Sequence, residues 1–154
     1  MALQIGDKVP NLLGNDQNGQ PFQLSEQKEK KWIIYFYPKD NTSGCTAEAC
    51  SFRDEYKELK QMGYGVIGIS ADNEKSHQKF INSKQLPFQL IADTEHKTAE
   101  IFGVWQEKKM MGRTYMGIVR TTFITNEEGI ITHILSQKQI KTSTHAQQLI
   151  QLLV

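Results

Sequence analysis

Cys45 and Cys50 stand five residues apart in one local segment and are the only cysteines of the chain. A pair so close would close too short a loop to restrain much chain entropy, so it makes a poor structural staple. In a reducing compartment such a pair serves catalysis or metal binding more often than structure. The surrounding segment reads Tyr37-Pro38-Lys39-Asp40-Asn41-Thr42-Ser43-Gly44-Cys45-Thr46-Ala47-Glu48-Ala49-Cys50. Before it runs the apolar, β-branched stretch Trp32–Tyr37, which Pro38 ends, and after it Ala49, Phe52, Tyr56, Leu59 and Met62 recur at helical spacing. The segment thus marks a strand-to-helix turn, the rim on which open α/β sheets place their ligands. Thr42 or Ser43 is the expected N-cap, which puts Cys45 in the first helical turn. There the unpaired N–H groups and the positive end of the helix dipole favour a thiolate over a thiol. A thiolate so placed is a nucleophile able to open an O–O bond. Thr42 is close enough in sequence to hydrogen-bond a peroxide oxygen beside the sulfur. Pro38, which lacks an N–H, stiffens the loop and shields the sulfur.

Cys50 adds a geometric constraint. On a helix, residues five apart lie about 7.5 Å apart along the axis and about 140° apart around it. Their Cα atoms are then roughly 8–9 Å apart, beyond the limit of about 7 Å for a disulfide. If the two sulfurs bond, the turns from Cys45 to Cys50 must unwind. Other uses of the cysteines fit less well. A lone helical cysteine is commonly a small apolar filler, but here a helix start, a hydroxyl pair and a second cysteine come together. His77, His96, His133 and His145 fall on separate elements, and none pairs with Cys45 or Cys50 at zinc-finger spacing. A dithiol oxidoreductase normally uses Cys-x-x-Cys, two residues shorter than this spacing. A redox-regulated binding module is the non-enzymatic alternative, its patch supplied by Trp105, Met110, Met111 and Tyr115 in a long loop.

The elements that must position the cysteines follow from the same patterns. Asn18-Gly19 signals a two-residue hairpin turn between Asn11–Leu13 and Pro21–Leu24. Trp32–Tyr37 and Gly65–Ser70 read as central strands covered on both faces. One helix is expected through Met62 with Gly63 as its C-cap, and a second from about Glu74 to Lys84, capped by Asp72 or Asn73, with Phe80 and Ile81 inward. Phe88–Ala92 reads as a short strand and Thr94–Phe102 as a helix stopped by Gly103. Val119–Thr125 and Ile130–Leu135 flank the turn Asn126-Glu127-Glu128-Gly129. A last helix runs from about Thr144 to Leu153, with Ala146, Leu149, Ile150 and Leu153 on its apolar face. Alternating strands and helices predict a three-layer α/β/α sandwich, its sheet mixed because the late hairpin is antiparallel.

The 154 residues fit a single domain spanning 1–154, long enough to bury one continuous core. With 18 basic against 17 acidic side chains there is no electrostatic footprint for nucleic acid or for an anionic membrane. The basic run Lys28-Glu29-Lys30-Lys31 reads as a solvated turn. No apolar stretch reaches the ~18–20 residues of a membrane span, and the first residues do not pair a basic region with an apolar one. A cytoplasmic protein is the expectation.

The spaced motif Pro38-x-x-x-Thr42-x-x-Cys45 resembles the active-site motif of the peroxiredoxins, and Cys50 resembles the second cysteine of their atypical two-cysteine subgroup, the bacterioferritin comigratory proteins. The similarity continues in Phe52-Arg53-Asp54, Gly68-Ile69-Ser70 and Phe102-Gly103-Val104-Trp105. It runs on through Met111-Gly112-Arg113-Thr114-Tyr115 to Gly117-Ile118-Val119-Arg120-Thr121-Thr122-Phe123, so it covers nearly the whole chain. The resemblance implies a thioredoxin-like fold and a thiol peroxidase whose Cys45 becomes a sulfenic acid that Cys50 resolves as an intramolecular disulfide. It implies a hydroperoxide substrate, thioredoxin or a similar dithiol as reductant, and no metal or organic cofactor. The resolving thiol lies in the same chain, so a monomer is expected. The resemblance also implies that Arg120 enters the active site from a distant strand, where its charge favours the thiolate and steadies the leaving oxygen. Glu48, one turn beyond Cys45, is placed either to bond Arg120 or to stand as a solvated glutamate at the helix start. Ser43 departs from the proline common at that position, which leaves the loop less rigid and removes no catalytic group.

Overall fold

The computed structural model describes residues 2–154. A first antiparallel pair, β1 (Leu12–Asn15) and β2 (Pro21–Gln23), precedes β3 (Lys31–Phe36). Then follow α1 (Ser43–Asp54), α2 (Tyr56–Gln61), β4 (Tyr64–Ser70), α3 (Glu74–Lys84), β5 (Gln89–Ala92) and α4 (Lys97–Phe102). A second pair, β6 (Trp105–Met110) and β7 (Arg113–Ile118), leads into β8 (Thr121–Thr125), β9 (Ile131–Leu135) and α5 (His145–Leu153).

The central sheet has the order β5-β4-β3-β8-β9. β3, β4 and β5 are parallel, while β8 and β9 run antiparallel beside β3, so the sheet is mixed as expected. Strand pleating explains why β3 reads as continuously apolar. Ile33 and Tyr35 face one core with Phe52, Leu59, Phe80 and Leu149, while Trp32, Ile34 and Phe36 face another with Leu13, Phe102 and Phe123. Helices α1, α2, α3 and α5 therefore cover one face, and α4 with the first hairpin covers the other. The expected three-layer α/β/α architecture holds. Two glycines of β4 let aromatic rings cross it: a Cβ on Gly65 would lie 2.6 Å from Trp32 ring carbons, and one on Gly68 would lie 2.8 Å from Tyr35 Cζ.

Three expectations need correcting. The helix after Cys45 is interrupted at Glu55, where φ −105° and ψ 10° separate α1 from α2. The apolar spacing runs across the break because both pieces pack Phe52 and Leu59 into one core. Residues 105–118 form a β-hairpin instead of a long loop, its turn made by Met111 and Gly112, both at positive φ. The first hairpin closes through a longer turn than two residues. Asp16 accepts from the N–H groups of Asn18 and Gln20 at 2.8 and 3.1 Å, and Gly19 adopts φ 76°. Elsewhere the expected elements are present, with Asn73 capping α3 by accepting from Ser76 N–H at 2.8 Å.

Candidate active site

Cys45 is the third residue of α1, within its first turn, and is 1% exposed. Thr42 holds the N-cap position with extended backbone, yet its hydroxyl does not cap the helix. It donates instead to the carbonyl of Lys39 at 2.9 Å, which leaves the first helical N–H groups without a side-chain cap. That end of α1 thus keeps its partial positive charge beside Cys45. Pro38 is half-buried just beyond the end of β3, at the start of the loop. Cys45 and Cys50 are both free thiols, Cys45 buried and Cys50 half-buried. Both sit inside α1, so the spacing argument against direct bonding applies to the folded helix.

Arg120 lies in the short link between β7 and β8. The antiparallel pairing of β8 with β3, which sets Thr121 opposite Phe36, delivers it to the start of α1. Its Nη2 lies 3.4 Å from Cys45 Sγ, and its Nη1 donates to Glu48 Oε1 at 2.6 Å. One guanidinium therefore spans the sulfur and a carboxylate from the next turn of the same helix. Gly44 makes room for it, since a Cβ there would stand 3.3 Å from Nη2.

Glu48 is fully buried. Burial pushes its carboxyl up from 4.5 to about 7 against the pull of Arg120. Arg120 itself is held above its ordinary range: burial opposes its charge, but Glu48 and Cys45 together outweigh that cost. Among the described residues Glu48 Oε2 has no hydrogen-bond partner, and it faces His145 Nε2 at 3.9 Å. This is not an ion pair, because burial holds His145 down at about 4 and keeps it neutral. Its tautomer follows from Gln148, whose Oε1 accepts from Lys141 N–H while its Nε2 donates to Gln139. The His145 Nδ1, 3.1 Å from that Oε1, carries the hydrogen, and Nε2 accepts from the Thr122 hydroxyl at 2.8 Å.

A stability prediction follows from Glu48. A carboxyl whose folded value exceeds its unfolded value of 4.5 binds its proton more tightly in the native state. Its contribution is fully present below about 4.5 and is lost as pH rises towards about 7. Urea unfolding across this window is expected to show Glu48→Gln gaining on the wild type as pH rises. A constant difference between the two would show that Glu48 ionises normally.

Of the residues singled out in the sequence, the structure joins Cys45 and Arg120 directly and adds Glu48 through Arg120. Thr42 stands at the rim, and Cys50 lies further along α1. Sequence reasoning missed the neutral His145 behind Glu48, and also a buried polar cluster around Asp40 and His77 beneath the loop. Each joins residues far apart in the chain, and no local spacing announces either.

The AhpC/TSA family model matches residues 5–134. Peroxiredoxin Bcp of Bacillus subtilis is 42% identical over 153 residues, covering 99% of this chain and 96% of that protein. Among solved structures, a Cys→Ser mutant of PrxQ from Xylella fastidiosa superposes with a TM-score of 0.88 at 29% identity, covering 99% of this chain and 96% of that one. The bacterioferritin comigratory protein of Xanthomonas campestris, studied for its alkyl peroxide reduction activity, gives a TM-score of 0.85 at 28% identity and covers 97% of each chain. Among the described residues, no helix is long and apolar enough to cross a membrane. With a buried helix-start cysteine under an arginine, and with relatives matching almost end to end, the chain belongs to the AhpC/TSA family as a peroxiredoxin of the Bcp type, an enzyme that reduces peroxides with a thiol.

Proposed function

We propose that the chain, acting as one domain, reduces hydrogen peroxide and organic hydroperoxides through a two-cysteine cycle. The contact between Arg120 Nη2 and Cys45 Sγ at the uncapped start of α1 carries this reading. The Cys45 thiolate attacks the terminal oxygen, the O–O bond breaks, and the departing oxygen takes a proton to leave as water or an alcohol. Cys45 becomes a sulfenic acid. Thr42 spends its hydrogen on Lys39, so its oxygen is free to accept from the hydroperoxide O–H. Arg120 meets the negative charge as it moves from sulfur to the leaving oxygen. The start of α1 then unwinds, and the Cys50 thiol condenses with the sulfenic acid, forming an S–S bond and releasing water. Thioredoxin or a similar dithiol restores both thiols by exchange. The chemistry asks for no metal or organic cofactor. It needs no partner subunit, which supports a monomer, and it suits a reducing, cytoplasmic setting. The reported activity of the Xanthomonas relative on alkyl peroxides supports organic hydroperoxides as substrates here.

The test is intact mass with peptide mapping after one equivalent of hydrogen peroxide. Loss of two hydrogens, mapped to a Cys45–Cys50 disulfide, is expected. A persistent sulfenic acid on Cys45 with Cys50 untouched would reduce the reading to a one-cysteine enzyme. Slow, unselective oxidation of both would overturn it.

A further inference from the structure

The loop that brings Cys45 to its place is held unequally at its two ends. On the upstream side Asp40 is buried, and its side chain takes three contacts. Tyr37 Oη donates to Oδ1 at 2.6 Å, Ser76 Oγ donates to Oδ2 at 2.8 Å, and His77 Nδ1 lies within hydrogen-bond distance of Oδ2 at 2.8 Å. The Asp40 N–H donates to Asp72 Oδ2 at 2.8 Å, and the Ser70 hydroxyl holds that same oxygen at 2.6 Å. His77, fully buried, donates from Nε2 to the Ile91 carbonyl at 2.9 Å. Burial and the charge of Asp40 push the Tyr37 hydroxyl well above its ordinary range, so it remains a donor. The loop is thereby fastened to the ends of β4 and β5 and to α3. Asp40, Asp72 and His77 come together as metal ligands would, within 4.8 Å of one another. Every one of these ligand atoms is already matched by a donor or acceptor of the protein, so the cluster is complete as a hydrogen-bond network.

Downstream the hold is weak. Asn41 is exposed with φ 64°, a left-handed turn that asparagine tolerates better than most residues. Thr42 and Ser43 are exposed, and the helix start has no side-chain cap. Resting on the two-cysteine cycle proposed above, we infer that Asp40 and His77 are positioning residues: their network is the fixed end of the unwinding, the chain turns at Asn41, and only residues beyond it leave the helix. The network has two opposed effects. It holds Thr42 and Cys45 in register with Arg120 for attack on peroxide, and it restrains the release that disulfide closure requires.

Amide exchange on reduced and disulfide forms tests the first part. The Asp40 amide is expected to stay protected in both, while amides from Cys45 to Cys50 lose protection on oxidation. Exchange of Asp40 as fast as that of Cys45 in the disulfide form would overturn the inference. His77→Gln tests the second part by separating two rates. Sulfenic acid formation is expected to slow roughly tenfold through misplacement of the loop, while closure of the disulfide accelerates severalfold. A purely structural role would lower the unfolding midpoint and leave both rates unchanged, and that result would also overturn it. If His77→Gln does not fold, Ser76→Ala removes one donor to Asp40 without stranding a buried ring, and smaller shifts in the same two directions are expected. Failure of the cycle itself reads differently: the wild-type protein would then form no Cys45–Cys50 disulfide, and the inference would fall with it.

Discussion

Arg120→Met is expected to lower the second-order rate constant for hydrogen peroxide by about 10²–10³-fold, the range typical for removing one preorganised donor from a transition state. Stopped-flow tryptophan fluorescence or competition with a peroxidase of known rate would measure it. The expectation rests on the two ends of the guanidinium, one on Cys45 Sγ and the other on Glu48 Oε1. Methionine fills similar volume but removes the group that bridges them. Loss of the cation strands a buried carboxylate, and Glu48, already lifted to about 7 by burial, answers by taking up a proton. The variant should therefore fold, with activity falling far more than stability. Arg120→Lys keeps a charge but offers a point donor in place of a fork, so it should recover only part of the loss. A rate within a factor of ~2 of wild type in Arg120→Met would remove arginine from the mechanism.

Cys45→Ser is expected to abolish peroxide consumption, with residual rates below about 10⁻³ of wild type, since a neutral hydroxyl at this site has no comparable nucleophilicity. Cys50→Ser should behave in the opposite way. It should consume one equivalent of peroxide per chain at the wild-type rate, then stall as a sulfenic acid, and excess peroxide should drive it on to the sulfinic acid. Dimedone trapping and intact mass distinguish these species. The contrast follows from burial. Cys45, 1% exposed and packed beside Ala49 and Phe52, reacts where the site is assembled, whereas half-buried Cys50 waits outside it. A Cys50→Ser variant that still turned over many equivalents with a dithiol would assign resolution to the outside thiol.

The sequence was most informative where burial is most uniform. Trp32–Tyr37 and Gly65–Ser70 could be read as central strands because both faces of β3 and β4 are covered, so every position is apolar or small. The strand-to-helix turn and the place of Cys45 were equally legible, because the end of the apolar run at Pro38 and the helical spacing beyond it are local, although Thr42 takes the N-cap position without capping. The hairpin of β6 and β7 was not. Its strands carry Gln106, Glu107, Lys109 and Thr114 beside exposed Met110 and Met116, so no alternation of buried and solvent-facing residues marks it. The break at Glu55 was hidden for the opposite reason, since the apolar positions keep helical spacing across it. Arg120 could be assigned to Cys45 only through family resemblance, as 75 residues separate them. The Asp40–His77 network had no such guide: its members lie 37 residues apart, and they meet only where α3 lies beside the loop after β3 and the ends of β4 and β5.

The helix that carries Cys45 is held in place from the far end of the chain. Ser51 accepts from the Ala146 N–H at 2.9 Å and donates to Gln147 at 3.1 Å, and Arg120 arrives with the link into β8. During synthesis, both cysteines leave the ribosome long before these residues do. A nascent chain ending before Arg120 holds Cys45 without the cation and without α5 behind its helix. On the proposed cycle, the reactivity of Cys45 towards peroxide therefore waits for the completed fold.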